Sequence, residues 1–136
     1  MSRYIPEPTR QIVIERADSR CEYCKIYERF SFLDFHIEHI IAIKHGGLSI
    51  LENLAYSCCI CNLSKGSDIA TFIKGFDDPV RFFHPRKDNW DDHFEVDKSG
   101  LILPKTNIGK ATVKILDMNH TDAIIERHTM LVYGVF

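Results

Sequence analysis

The chain has 136 residues, of which 45% are hydrophobic and 26% charged, and its formal net charge is −2. That length suits one domain, and that composition excludes a low-complexity or disordered polymer. No apolar run approaches membrane-spanning length. Neither half is a basic tail, so any nucleic-acid binding is expected to be weak unless positive charge is clustered around a site.

Residues 1–20 carry Arg3, Arg10, Arg16 and Arg20 but no apolar segment of the signal-peptide kind, so the expectation is a reducing, cytoplasmic setting. Pro6-Glu7-Pro8 opens a helix running to about Ala17, with Ile12 and Val13 inward. Residues 33–40 read as a strand, and 41–52 as a long loop turned by Gly46-Gly47. A second strand follows at Leu54–Tyr56, then a helix from about Asn62 to near Gly75. Asp78-Pro79 starts a turn or short helix carrying Phe82 and Phe83, and Asp88 caps another turn through Trp90. His93–Val96 and Leu101–Leu103 flank Lys98-Ser99-Gly100 as a hairpin. Thr106 or Asn107 caps a helix from about Ile108 to Met118, with Ile108, Ala111 and Ile115 on one face. Asn119 or Thr121 caps a last helix to about Val132.

Four of the five cysteines form two C-x-x-C pairs, Cys21/Cys24 and Cys58/Cys61. Two residues between cysteines let both sulfurs reach one ion from a tight turn, and two such turns close a tetrahedral thiolate site suited to structural Zn²⁺. The competing reading is two disulfides or unrelated thiols. Residues 25–57, between the pairs, exceed a simple zinc ribbon, so something else folds between the knuckles. Cys59 is left over as a small buried hydrophobe. Four thiolates around one Zn²⁺ add a further −2 to the chain.

A second set of groups lies between and beside these pairs. Glu38 is a hard oxygen ligand of the type Mg²⁺ or Mn²⁺ prefers. His39 is the side chain best suited to take a proton near neutral pH. Asn62 directly follows the last cysteine, so a stapled turn fixes its amide. His36 shares the alternation phase of Glu38: it is either a third ligand or phosphate donor at the same site, or a half-exposed strand histidine. His45 reads as a solvated loop residue. Regular alternation would send Glu38 and His39 to opposite faces. For both to serve one site the backbone must be irregular at 38–41; otherwise His39 packs under the sheet beside Phe35 and Ile37.

Glu38-His39-Ile40-Ile41, Gly46-Gly47, Glu52-Asn53-Leu54 and Cys58-x-x-Cys61-Asn62-x-x-Lys65-Gly66 together resemble the HNH endonuclease family (His-Me finger, ββα-metal nucleases) over about residues 21–66. The resemblance implies an α+β fold: a ββα-metal core with a four-cysteine zinc site and a C-terminal hairpin-plus-helix extension. The expected organisation is a single nuclease domain over 1–136, with a core at about 9–75 and the extension at 76–136. The resemblance implies His39 as general base, Glu38 and Asn62 as ligands of one divalent cation, Asn53 as the residue pinning the loop that orients His39, and Lys65 near a phosphate. Glu replaces the commoner Asp, and Ala42 stands where the family often has Pro. The Phe83-His84-Pro85-Arg86 stretch, Trp90 and His93-Phe94 resemble an extension of some bacterial members. There, His84, Arg86 and Lys87 either contact DNA or are simply solvated, while Phe82, Phe83, Trp90 and Phe94 complete the core. The implied activity is metal-dependent hydrolysis of DNA, with a partner protein for targeting as one way around the acidic balance. A non-catalytic zinc module binding nucleic acid or protein, and a ribonuclease, are the alternatives.

Overall fold

The structure, a computed structural model, describes residues 4–136; Arg3, named above, lies outside the described residues. Helix α1 spans Glu7–Arg16, with proline in its first turn, where the missing N–H costs no hydrogen bond. Val13 and Ala17, one turn apart, form its buried stripe with Ile5. Ile12 was expected inward with Val13, but it lies about 100° around the helix from that stripe and is exposed.

Strands β1 (Phe35–His39) and β2 (Leu54–Cys58) pair antiparallel, with Glu38 opposite Ala55 and His39 opposite Leu54. β2 is buried along its whole length, with α1 packed against the ribbon through Val13, Leu54 and Tyr56. The connection carries 3-10 turns at Ile43–His45 and Leu51–Asn53. It reverses at Gly46, whose φ is +90°, and at Gly47, where a Cβ would lie 1.7 Å from the Ile41 carbonyl oxygen. Any side chain at Gly47 would force the loop open.

Helix α2 (Cys59–Lys65) follows β2 directly and completes the ββα unit. It starts earlier than expected, because the Cys58 sulfur caps it by accepting the Cys61 N–H. It stops at Gly66, far short of Gly75, because Gly66 takes φ +52° and ψ −127°, which favours glycine. The chain then forms a short ribbon of β3 (Ala70–Thr71) and β4 (Val80–Arg81), where a turn or short helix was expected.

The C-terminal half adds α3 (Trp90–His93), the hairpin β5 (Phe94–Val96) and β6 (Ile102–Pro104), α4 (Asn107–Leu116) and α5 (Thr121–Val132). Asp88 does not cap α3; it accepts the Arg81 guanidinium and the His84 N–H. Thr106 caps α4 as expected, accepting the Gly109 N–H at 3.0 Å. His120, rather than Asn119 or Thr121, caps α5 by accepting the Asp122 N–H. Asn119 is engaged elsewhere, bonding both the N–H and the carbonyl of Ile102 at 2.8 Å. The main core joins both halves of the chain: Tyr23, Ile26 and Ile40 pack in one cluster with Phe83, Phe94, Leu116 and Met130. The fold is α+β, with a ββα core. No helix among the described residues is long and apolar enough to cross a membrane.

Candidate functional site

The two C-x-x-C turns meet as a buried four-sulfur cluster. The sulfurs of Cys21, Cys24, Cys58 and Cys61 all lie within 4.8 Å of one another. Cys24 and Cys58, from different turns, are 3.6 Å apart, close to the roughly 3.8 Å edge of a tetrahedron with ~2.3 Å Zn–S bonds. In each turn the N–H of the second cysteine points at the first sulfur, at 3.4 Å. No disulfide is formed: all five cysteines are free. Burial opposes ionisation of Cys21, but hydrogen bonds from Cys24, Cys58 and Cys61 override it and hold its thiol well below the usual range, while Cys61 is pushed well above. The all-sulfur donor set, buried and at tetrahedral spacing, fits Zn²⁺. Cys59 is only half-buried and stays outside the cluster.

A cleft of about 540 Å³ is bordered by Arg10, Ile37, Glu38, His39, Lys44 and Asn62. β1 ends at His39, and a bend follows at Ile40, whose N–H still bonds the Asn53 carbonyl at 2.8 Å. That ending lets Glu38 and His39 border one cavity although neighbours in a strand alternate. His39 Nε2 lies 2.8 Å from Ser49 Oγ, which orients the ring. Asn53 is buried and holds the loop shut: its Oδ1 accepts the Ile41 N–H, and its Nδ2 donates to the carbonyls of Ile41 and Leu48, all at 2.9 Å. Asn62, half-buried in the first turns of α2, offers an amide that makes no hydrogen bond among the described residues.

Glu38 is 6% exposed. The Tyr23 hydroxyl donates to its Oε1. The Lys65 ammonium lies 3.7 Å from Oε2 and donates to the Ile40 carbonyl at 2.9 Å. Burial pushes the Glu38 carboxyl up to about 7, against the opposing pull of Lys65 and Tyr23. Tyr23, itself buried beside that carboxylate, is raised well above its ordinary value and so remains a donor.

Three other expected positions sit differently. Lys65, expected near a phosphate, is 2% exposed and turned inward to Ile40 and Glu38. Arg86, weighed as a DNA contact, pairs with Glu22 in a largely buried position, and burial lowers its guanidinium to about 10. Lys87 is exposed, on the rim of a separate hollow bordered by Ile40, Ile69 and Phe83. His36 lies on the open part of β1 and does not border the cleft; His45 is exposed. Sequence reasoning passed over Tyr23, Ser49, Arg10 and Lys44. Their spacing carries no motif, and only the fold brings them to Glu38, to His39 and to the cleft.

Comparison with curated proteins finds no match, and neither does comparison with solved structures. A family model described as HNH endonuclease matches residues 21–68. Both cysteine pairs, the ββα unit and the cleft residues Glu38, His39 and Asn62 fall inside that span, so over residues 21–68 the chain is similar to the HNH endonuclease family.

Proposed function

We propose that the protein is a metal-dependent endonuclease that hydrolyses phosphodiester bonds of DNA in the cleft beside β1. The observation that carries this reading is the convergence of Glu38, His39 and Asn62 on one cavity within the HNH span. His39, its ring held by Ser49, takes the proton from the attacking water. Glu38 and Asn62 supply the oxygen donors that suit Mg²⁺ or Mn²⁺. These two residues would hold such an ion, and it would supply charge neutralisation for the phosphodiester being hydrolysed. Asn53 keeps the 41–48 loop closed so that His39 stays at the end of the strand. The four cysteines hold a structural Zn²⁺ that does not take part in the reaction.

Arg10 and Lys44 replace Lys65 and Arg86 as the phosphate contacts in this reading. Both are exposed and both border the cleft. Arg10 has a Glu7 carboxylate 3.9 Å away, an exposed pair too weak to occupy it fully. Two cations at the cavity mouth concentrate positive charge where a chain of formal net charge −2 needs it.

The test is plasmid relaxation by purified protein with and without Mg²⁺ or Mn²⁺, beside His39→Ala and with a single-stranded RNA in parallel. The wild type should nick or cut DNA only with the cation, and His39→Ala should be slower by about 10²–10⁴-fold with its zinc content unchanged. Metal-independent cleavage, or an unimpaired variant, refutes the assignment. Cleavage of the RNA alone makes the enzyme a ribonuclease.

A further inference from the structure

We propose that Tyr23 is a positioning residue for the catalytic cation, and that the C-terminal half of the chain holds Tyr23 in place. This rests on the reading of Glu38 as a cation ligand. Tyr23 lies between the two cysteines of the first knuckle and is completely buried. Its hydroxyl fixes one carboxylate oxygen of Glu38. The other oxygen is ion-paired with the Lys65 ammonium at 3.7 Å, longer than a direct hydrogen bond, and in this reading it is the atom that a cation entering the cleft bordered by Glu38 would share with Lys65. A carboxylate pinned at one oxygen cannot rotate about its terminal torsion. The remaining oxygen therefore presents a fixed lone pair, and an incoming cation need not order it.

The backbone that carries the phenol is in turn held by the C-terminal half. The Trp90 indole N–H donates to the Tyr23 carbonyl at 2.7 Å. Arg86 reaches the carboxylate of Glu22, whose other oxygen accepts the Tyr56 N–H at 2.8 Å. Arg127 approaches the Cys24 carbonyl at 3.5 Å. Three consecutive knuckle residues are thus gripped by three residues from the C-terminal half, and the Tyr23 ring stands edge-on to Phe83 at 6.4 Å. The knuckle that binds one metal aims the ligand of the other.

The experiment is a Mn²⁺ titration followed by electron paramagnetic resonance on the zinc-loaded full chain, comparing wild type with Tyr23→Phe, Trp90→Phe and Glu38→Ala. Zinc is quantified in each sample. Tyr23→Phe deletes one hydroxyl and should weaken Mn²⁺ binding about 10–100-fold at unchanged zinc content. Trp90→Phe should weaken it less. In turnover, the Mn²⁺ concentration for half-activation should rise while kcat at saturating Mn²⁺ returns toward wild type. A Tyr23→Phe curve that overlays wild type while Glu38→Ala loses the site overturns the role of Tyr23 and leaves the cation site standing. A Glu38→Ala curve that overlays wild type removes the cation site itself and this proposal with it. Parallel loss of zinc and Mn²⁺ in Tyr23→Phe makes the contact merely structural and also overturns the proposal. Should Tyr23→Phe fail to fold, an unchanged Mn²⁺ curve in folded Trp90→Phe does the same.

Discussion

Arg127→Met is the most demanding test of how the two halves of the molecule depend on each other. Arg127 is fully buried on α5. Its Nε donates to the Gly100 carbonyl at 2.6 Å and its Nη2 to Asn119 Oδ1 at 3.0 Å, and its Nη1 makes a longer, weaker contact to the Cys24 carbonyl at 3.5 Å. Burial lowers its guanidinium pKa, and the nearby cysteines oppose that shift, Cys24 most strongly. Each charge-assisted hydrogen bond is worth about 1.5–3 kcal/mol. Methionine has nearly the same reach and recovers part of the desolvation cost of the guanidinium. It leaves the Gly100 carbonyl without that donor, whereas Asn119 Oδ1 still accepts the Ile102 N–H. The net loss should be about 2–4 kcal/mol, or roughly 8–15 °C in Tm for a chain of this size. A zinc–thiolate centre of charge −2 would also lose its nearby buried cation, so zinc should pass to a competing chelator faster. Scanning calorimetry of the zinc-loaded protein and a chelator-transfer time course measure both. Arg127→Lys should fall between, since it keeps the charge and loses the fork. A variant melting within about 2 °C of wild type and releasing zinc at the same rate would refute the reasoning.

Other outcomes follow from the same geometry. Stripping the four-cysteine site with a strong chelator should unfold the ββα core, seen as loss of far-ultraviolet circular dichroism; mild EDTA should stop cleavage first, and Mg²⁺ should restore it. Arg10→Ala and Lys44→Ala should each lower the slope of log binding constant against log salt by about 0.9, measured on a labelled duplex in Ca²⁺; an unchanged slope removes them from the phosphate path. The Arg81 guanidinium beside Asp88 holds that carboxyl down to about 2. Its contribution is present above the unfolded value near 3.8 and is lost only as pH falls through about 2. Asp88→Asn should therefore be less stable by about 1–2 kcal/mol, with no change in that difference between about pH 5 and 8. A difference that disappears by about pH 5 would show that the pair does not hold the carboxylate.

Much of the core was legible because its signals are local. A C-x-x-C spacing determines which sulfurs can share an ion whatever lies between the pairs, and Gly46-Gly47 marks a reversal that only glycine tolerates. The antiparallel pair and the capped α4 could be read from periodicity and one threonine. What escaped was direction. A lysine one turn beyond Asn62 looks like a phosphate contact until Glu38 and the Ile40 carbonyl are placed beneath it. Arg86 looks solvated until Glu22, 64 positions earlier, is found beside it. The sequence predicts a longer α2 because nothing in Asp68–Gly75 forbids a helix; the chain leaves it at Gly66 and pairs β3 with β4 instead. Tyr23 carries no motif at all, and its importance is visible only where its hydroxyl ends.

The grip on Glu22, Tyr23 and Cys24 also has a consequence in time. The residues that complete it lie 64, 67 and 103 positions further along the chain. At ribosomal rates of about 5–20 residues per second, the last is made roughly 5–20 s after the knuckle it supports. Contacts of such separation also close late, because the entropy of the intervening loop must be overcome first. A nascent chain halted before α5 should therefore expose its first cysteine pair to thiol-alkylating reagents, and full protection there would refute this order. Synthesis itself acts as a safety interval, in which the cleft has all its polar residues but not yet the scaffold that aims them.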